Sequence, residues 1–165
     1  MNKLIKLGFG AAAIVLLSSA AASAQQTATA TVTATANVSA KARLDVTGAV
    51  AFTDADPETT TSLSAAALNI SVKARTGNNE TVTLTVAADG DFTEAGGATI
   101  GIANLDWTVT GSGYAAGTAA TTDVTVGSWT GSGTHNGTQT YRLVNSWAYA
   151  TGSYSVTLTY TLTAP

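Results

Sequence analysis

The chain has 165 residues, of which 45% are hydrophobic, and its ten acidic residues outweigh seven basic ones for a formal charge of −3. It contains no cysteine, which excludes a disulfide framework and a lipid-bearing cysteine. Stability must therefore come from packing and backbone pairing, and the acidic balance argues against nucleic acid as a partner.

The first segment reads as a secretory signal peptide over residues 1–24. Lys3 and Lys6 give a positive start, Leu7 to Leu17 is apolar, and Ala22-Ser23-Ala24 is a small-residue cleavage pattern. The apolar stretch falls short of the roughly twenty residues a membrane span needs, so no span is expected after cleavage. The predicted location is outside the cell or in the cell envelope. Loss of the leader leaves residues 25–165, enough for one domain with a proper core. Five basic residues then face ten acidic ones, a net charge of −5.

From Thr27 to Val46 apolar and polar residues alternate without interruption, the signature of a β-strand. At about 3.3 Å per residue such a run would span about 66 Å, far beyond an ordinary strand. Two readings follow. The run forms two consecutive strands bent near Asn37 to Lys41, or residues 25–40 form an extension that inserts as a donor strand into a neighbour. The face that would be exchanged consists of Ala28, Ala30, Val32, Ala34, Ala36 and Val38.

Thr53 to Thr61 reads as a loop. Ala66 to Ala74 and Val82 to Val86 alternate on either side of the turn residues Thr76 to Glu80, a pattern that predicts a β-hairpin. Asp89-Gly90-Asp91 turns the chain. The phase change at Ala103 to Asn104 predicts either a bulged strand or two short ones through Ile100 to Val109. Gly111 to Gly117 and Gly131 to Gly137 read as glycine-rich loops flanking a strand from Val124 toward Trp129, and Tyr141 and Leu143 begin the next. The chain closes on Tyr154, Val156, Leu158, Tyr160 and Leu162, predicted to face the core from the last strand. About eight or nine short strands with no helix predict an all-β fold, an immunoglobulin-like antiparallel β-sandwich, with a closed barrel as the alternative.

Nothing in this pattern points to catalysis. The single histidine, His135, sits in a glycine-rich stretch and reads as an exposed loop residue, and no serine lies in a nucleophile elbow. Asp54, Asp56 and Glu58, like Asp89, Asp91 and Glu94, match no calcium-loop spacing and read as solvated loops. No metal or cofactor is expected. Trp107 is in phase with Leu105 and Val109 and reads as core. Trp129, Trp147 and Tyr114 border glycine turns and are the candidates for stacking on a sugar ring.

The C-terminal stretch from Gly152 through Tyr154, Val156, Leu158, Tyr160 and Leu162 to Pro165 resembles the closing strand of secreted bacterial surface β-domains, including spore coat protein U-like and fimbrial subunits. In fimbrial subunits a glycine about fourteen places from the end precedes alternating apolar residues, and Gly152 holds that place; Ala164 stands where an aromatic is usual. The same end is also similar to the Gram-positive WxL surface domain, with Tyr160-Thr161-Leu162 at the W-x-L position and Trp107-Thr108-Val109 at that family's first motif. The fimbrial resemblance implies an N-terminal extension that enters the next subunit's sheet; the WxL resemblance implies attachment to cell-wall peptidoglycan. Both imply a non-enzymatic envelope role, as a filament subunit or a polysaccharide-binding module. The expected partners are further copies, another envelope protein or cell-wall polysaccharide.

Overall fold

A computed structural model describes residues 28–165. The predicted leader lies outside the described residues, and no described helix is long and apolar enough to cross a membrane.

Among the described residues there are eleven strands, nine of them in two main antiparallel sheets that form a β-sandwich, and the only helical element is one 3₁₀ turn, Ile102–Asn104. The larger sheet runs β1 (Lys41–Thr47), β3 (Leu68–Arg75), β10 (Gly133–Val144), β7 (Leu105–Thr110) and β8 (Gly117–Thr118), with β2 (Ser62–Ser64) also on β10. The smaller is β11 (Leu158–Thr163), β4 (Thr81–Ala88) and β9 (Val124–Thr130). A two-residue pair, β5 (Phe92–Thr93) with β6 (Thr99–Ile100), stands apart.

These segments form strands for the reason their sequence suggests. In β3, Leu68, Ile70, Val72 and Ala74 are buried while Asn69, Lys73 and Arg75 are exposed. In β4, Val82, Leu84, Val86 and Ala88 point inward between threonines. Alternation lets one face meet the core and the other meet water, and threonine suits the outer face. The core between the sheets is filled by Ile70, Val72, Leu84, Leu105, Trp107, Val126 and Tyr141, each almost wholly removed from solvent. The ring of Trp107 meets Tyr141 edge-on at 5.8 Å, and its N–H donates to the Ala115 carbonyl at 2.9 Å.

Several expectations need correction. β3 and β4 do not form a hairpin: their turn at Thr76 to Glu80 carries the chain from one sheet to the other, so β3 pairs β1 and β10 while β4 pairs β9 and β11. Gly131 to Gly137 is no loop. Gly131, at φ +76°, makes the turn, and Gly133 already begins β10, the longest strand. The phase change at Ala103 is the 3₁₀ turn between two short strands. The described residues form no closed barrel, because β1 and β11 each pair with one strand only among them and not with each other.

Candidate functional site

The two open sides of the sandwich differ, and the difference follows from the chain segments available to cover them. On one side the segment between β7 and β8 is hydrogen-bonded to β9: Ala115 N–H donates to Val126 O at 2.8 Å and Ser128 N–H donates to Gly113 O at 2.9 Å. Tyr114 bridges Gly127 there, and its hydroxyl reaches the His135 carbonyl at 3.0 Å. Backbone bonds therefore close that side.

On the other side nothing comparable is present among the described residues. β1 is the edge of one sheet and pairs only β3; β11 is the edge of the other and pairs only β4. The two edges approach each other without a ladder between them. Their inward residues, Leu44 and Val46 on β1 and Leu158, Tyr160 and Leu162 on β11, pack on the core but stay half-buried. Val72 and Leu84, one strand further in, have no exposed surface at all. A half-covered apolar row flanked by two unpaired strand edges is a template for a further strand. β11 is an edge strand whose Leu158, Tyr160 and Leu162 face the core, and Tyr154 and Val156, which precede it and pack on the same core, are held by the bridge of Ser155 to Thr93.

Residues 28–40 belong to no strand, and every one of them is exposed. Val32 is 93% exposed and Val38 68%. The expectation of one long strand, or of two consecutive strands within one sandwich, is corrected accordingly: pairing begins at Lys41. An alanine face offers little apolar area, so burying it does little to offset the entropy of ordering the chain. The six residues from Ala28 to Val38 proposed as an exchange face are thus solvent-facing, as a group, in the isolated chain.

The aromatic candidates do not form a shared platform. Trp129 is buried; its N–H donates to Ser112 O at 2.8 Å, its ring stacks on His135 at 4.6 Å and 11°, and Tyr114 meets it edge-on at 4.9 Å. Gly113 (φ +81°) and Gly127 make this possible, because a Cβ at either position would overlap the Trp129 ring. Tyr114 is half-buried rather than exposed. Trp147, 72% exposed, stands beyond β10 at the opposite end of the sandwich from Trp129. His135 is likewise not a loop residue: it lies on β10 with Nε2 buried and without a hydrogen-bond partner, and burial pushes its pKa down.

One polar cluster escaped the sequence reading. Gln139, fully buried on β10, accepts a hydrogen bond from the Tyr160 hydroxyl at 2.7 Å, and the Tyr141 hydroxyl lies 2.9 Å from that of Tyr160. Burial raises the pKa of both phenols, so both remain protonated. The cluster ties the edge strand β11 across the core to β10. Its only sequence signal was a glutamine in phase with Tyr141 and Leu143.

The acidic loops have structural tasks. Asp89 accepts the Thr157 N–H at 2.9 Å, Asp91 accepts the Ile102 N–H at 2.7 Å, and Glu94 accepts those of Gly96 and Ala98. These main-chain donors hold the carboxyls of Asp89 and Glu94 below their usual pKa. Asp56 accepts the Glu58 N–H at 2.9 Å in the same manner. Among the described residues no group of three metal-ligating side chains converges. No protein-family model and no curated protein matches the chain.

Proposed function

We propose that the protein is a non-enzymatic structural subunit of the cell surface, secreted to the envelope, that assembles by strand addition. In this reading residues 25–40 of one copy complete the open side of the next, between β1 and β11. The observation that carries it is the combination of an alternating, unpaired and exposed N-terminal segment with a sandwich whose one uncovered side is bounded by two free edges. Main-chain hydrogen bonds supply such a join, and small side chains enter beside the larger Leu44, Leu158, Tyr160 and Leu162 without needing deep pockets. The C-terminal resemblance to fimbrial and spore coat protein U-like subunits supports the same reading.

The test is deletion of residues 25–40. Electron microscopy of the wild-type protein should show filaments with a regular repeat, and the deletion should abolish them. Because the described part of that segment is exposed and in no strand, with the Ser39 carbonyl accepting an exposed hydrogen bond from Arg75 Nε at 2.9 Å, the deletion should leave domain stability within about 1 kcal/mol of wild type. A large loss of stability would mean that the segment belongs to its own domain's core and would end the proposal.

A polysaccharide-binding module is the second reading, favoured by one observation, the exposure of Trp147. Retention on purified cell walls should fall in Trp147→Ala if this reading is right; unchanged retention removes it.

A further inference from the structure

The strand register sorts the charges of this molecule to opposite ends. Lys41 pairs across from Arg75 and Arg43 across from Lys73, which places four of the five basic side chains among the described residues on one sheet face at one end. They line a shallow depression of about 630 Å³ with Ser132 and Thr134. Arg43 is engaged by Asp45, with nitrogen to oxygen distances of 2.9 and 3.2 Å. Lys41, Lys73 and Arg75 form no ion pair among the described residues. Like charges directly opposite in a ladder repel, and only Asp45 within the pair of strands offsets them.

The other end carries the acids. Asp54, Asp56 and Glu58 lie in the connection after β1, and Asp89, Asp91 and Glu94 follow the end of β4 that pairs with the start of β11. Asp106 and Asp123 stand at the same end of β7 and β9. That accounts for eight of the ten acidic residues; apart from Asp45, only Glu80 is found at the basic end. The one cation at the acidic end among the described residues, Arg142, is bound to Asp106 at 2.8 Å. The seven residues of β1 put about 23 Å between the ends, which exceeds twice the Debye length of about 8 Å at physiological salt. The two fields therefore do not cancel within one copy.

We infer that the basic end around Lys41, Lys73 and Arg75 docks the acidic end of a second copy of this chain. This rests on the self-assembly reading for its choice of partner, and charge complementarity argues for it independently. Copies with an acidic excess repel in every orientation except basic end to acidic end, so the contact is head-to-tail. A contact of that kind propagates unless rotation closes it into a ring. It also lies where residues 28–40 join the domain, at Lys41, so the charged contact would orient an incoming copy before a strand is exchanged and act mainly on the rate of association.

The experiment uses the protein expressed from its whole coding sequence and purified as released, with two charge-reversed variants. One carries Lys41→Glu, Lys73→Glu and Arg75→Glu; the other carries Asp54→Lys, Asp56→Lys and Glu58→Lys. Association by sedimentation and light scattering should weaken at least about tenfold for wild type between 20 and 500 mM salt. Each variant alone should associate at least about tenfold more weakly at low salt, and an equimolar mixture of the two should regain association, since the three carboxylates introduced at the basic end of one variant then face the three lysines introduced after β1 in the other. Wild-type association indifferent to salt overturns the inference whether or not the variants fold. So does a mixture no better than either variant alone. Loss of retention on a polyuronate resin by the Lys41/Lys73/Arg75 variant, with its self-association intact, would assign the patch to an acidic glycan and overturn it as well. The 25–40 deletion separates the two readings: filaments lost with salt-sensitive weak association retained supports both, whereas assembly unchanged by the deletion removes strand addition and leaves the charged contact standing.

Discussion

Replacing Tyr160 by Phe removes one hydroxyl and disturbs three side chains. The Tyr160 hydroxyl donates to Gln139 Oε1 at 2.7 Å, so its single proton is committed and the Tyr141 hydroxyl must donate to it across 2.9 Å. In Tyr160→Phe both Gln139 Oε1 and the Tyr141 O–H lose their partner, and Gln139 Nε2, buried without a partner already, remains so. Each buried polar group left unsatisfied costs about 1–3 kcal/mol. Two such groups, less the relief of no longer burying the Tyr160 oxygen, give a loss of about 2–4 kcal/mol. At roughly 4 °C per kcal/mol for a domain of this size, the melting temperature should fall by about 8–16 °C. Gln139→Met should cost far less, within about 1 kcal/mol, because it deletes an amide that is only half satisfied while Tyr141 and Tyr160 keep each other. The double variant should therefore lose less than the sum of the two, with a coupling of about 1–2 kcal/mol. Urea denaturation at neutral pH with unchanged m-values measures all four corners. A Tyr160→Phe loss under about 0.5 kcal/mol, or strict additivity, would refute the assignment of this cluster as the tie between β11 and β10.

Gly127→Ala places a methyl group in the space of the Trp129 ring and should destabilise by about 1–3 kcal/mol, the usual range for overpacking, with a shift in tryptophan emission; a neutral result would mean the ring is not confined there. His135 has a folded-state pKa below its unfolded value because its ring is desolvated and stacked on Trp129. The unfolded chain thus binds the proton more readily, so the histidine's contribution to stability is intact above the unfolded pKa of about 6.5 and declines as pH falls through that value toward the folded one. Melting temperatures between pH 8 and 5 should show this slope in wild type and a shallower one in His135→Phe; identical slopes would exclude the histidine as its source.

The alternation that locates β3, β4, β9 and β11 was plain in the sequence, yet it could not assign strands to sheets. Val72 and Leu84 are inward residues of the same kind, and the turn at Thr76 to Glu80 has the residues of a hairpin. In a sandwich a short connection can equally cross the roughly 10 Å between sheets, and both outcomes leave the same period. The glycines of β10 misled for a different reason. Glycine is poor in strands because it brings no side chain to pack, but at Gly137 and Gly133 the missing Cβ is what admits neighbouring rings: one at Gly137 would come within 2.6 Å of Tyr114, and one at Gly133 within 2.7 Å of His135. What reads as loop composition is space for rings, at Gly137 that of Tyr114 from another segment and at Gly133 that of His135 on the same strand. The charge segregation was partly legible, since Lys41 with Arg43 and Lys73 with Arg75 each place two cations on one strand face; that the two pairs meet depends on the β1 to β3 register.

The N-terminal run shows where a sequence pattern stops being informative. Alternation says that one face of a segment suits burial and the other water, but a strand exists only with a neighbour to bond to, and the neighbour leaves no mark in the segment itself. In the strand-addition reading the pattern nevertheless constrains register. Alanines two residues apart are nearly interchangeable, so an Ala-only face would slip by steps of two at little cost. Val32 and Val38 are the two larger residues on that face, six positions or about 20 Å apart. The inward row of β11 from Leu158 to Leu162 covers four positions, about 13 Å, and Val156, half-buried on the same core, extends it to six, about 20 Å. A segment seated with its valines against Val156 and Leu162 gains apolar burial at each end of that row, and a slip of one step past Leu162 leaves one valine against Ala164, which offers little apolar area. The register of the proposed join is thus set by two side chains, while the alanines between them allow the segment to pass close to the Tyr160 ring.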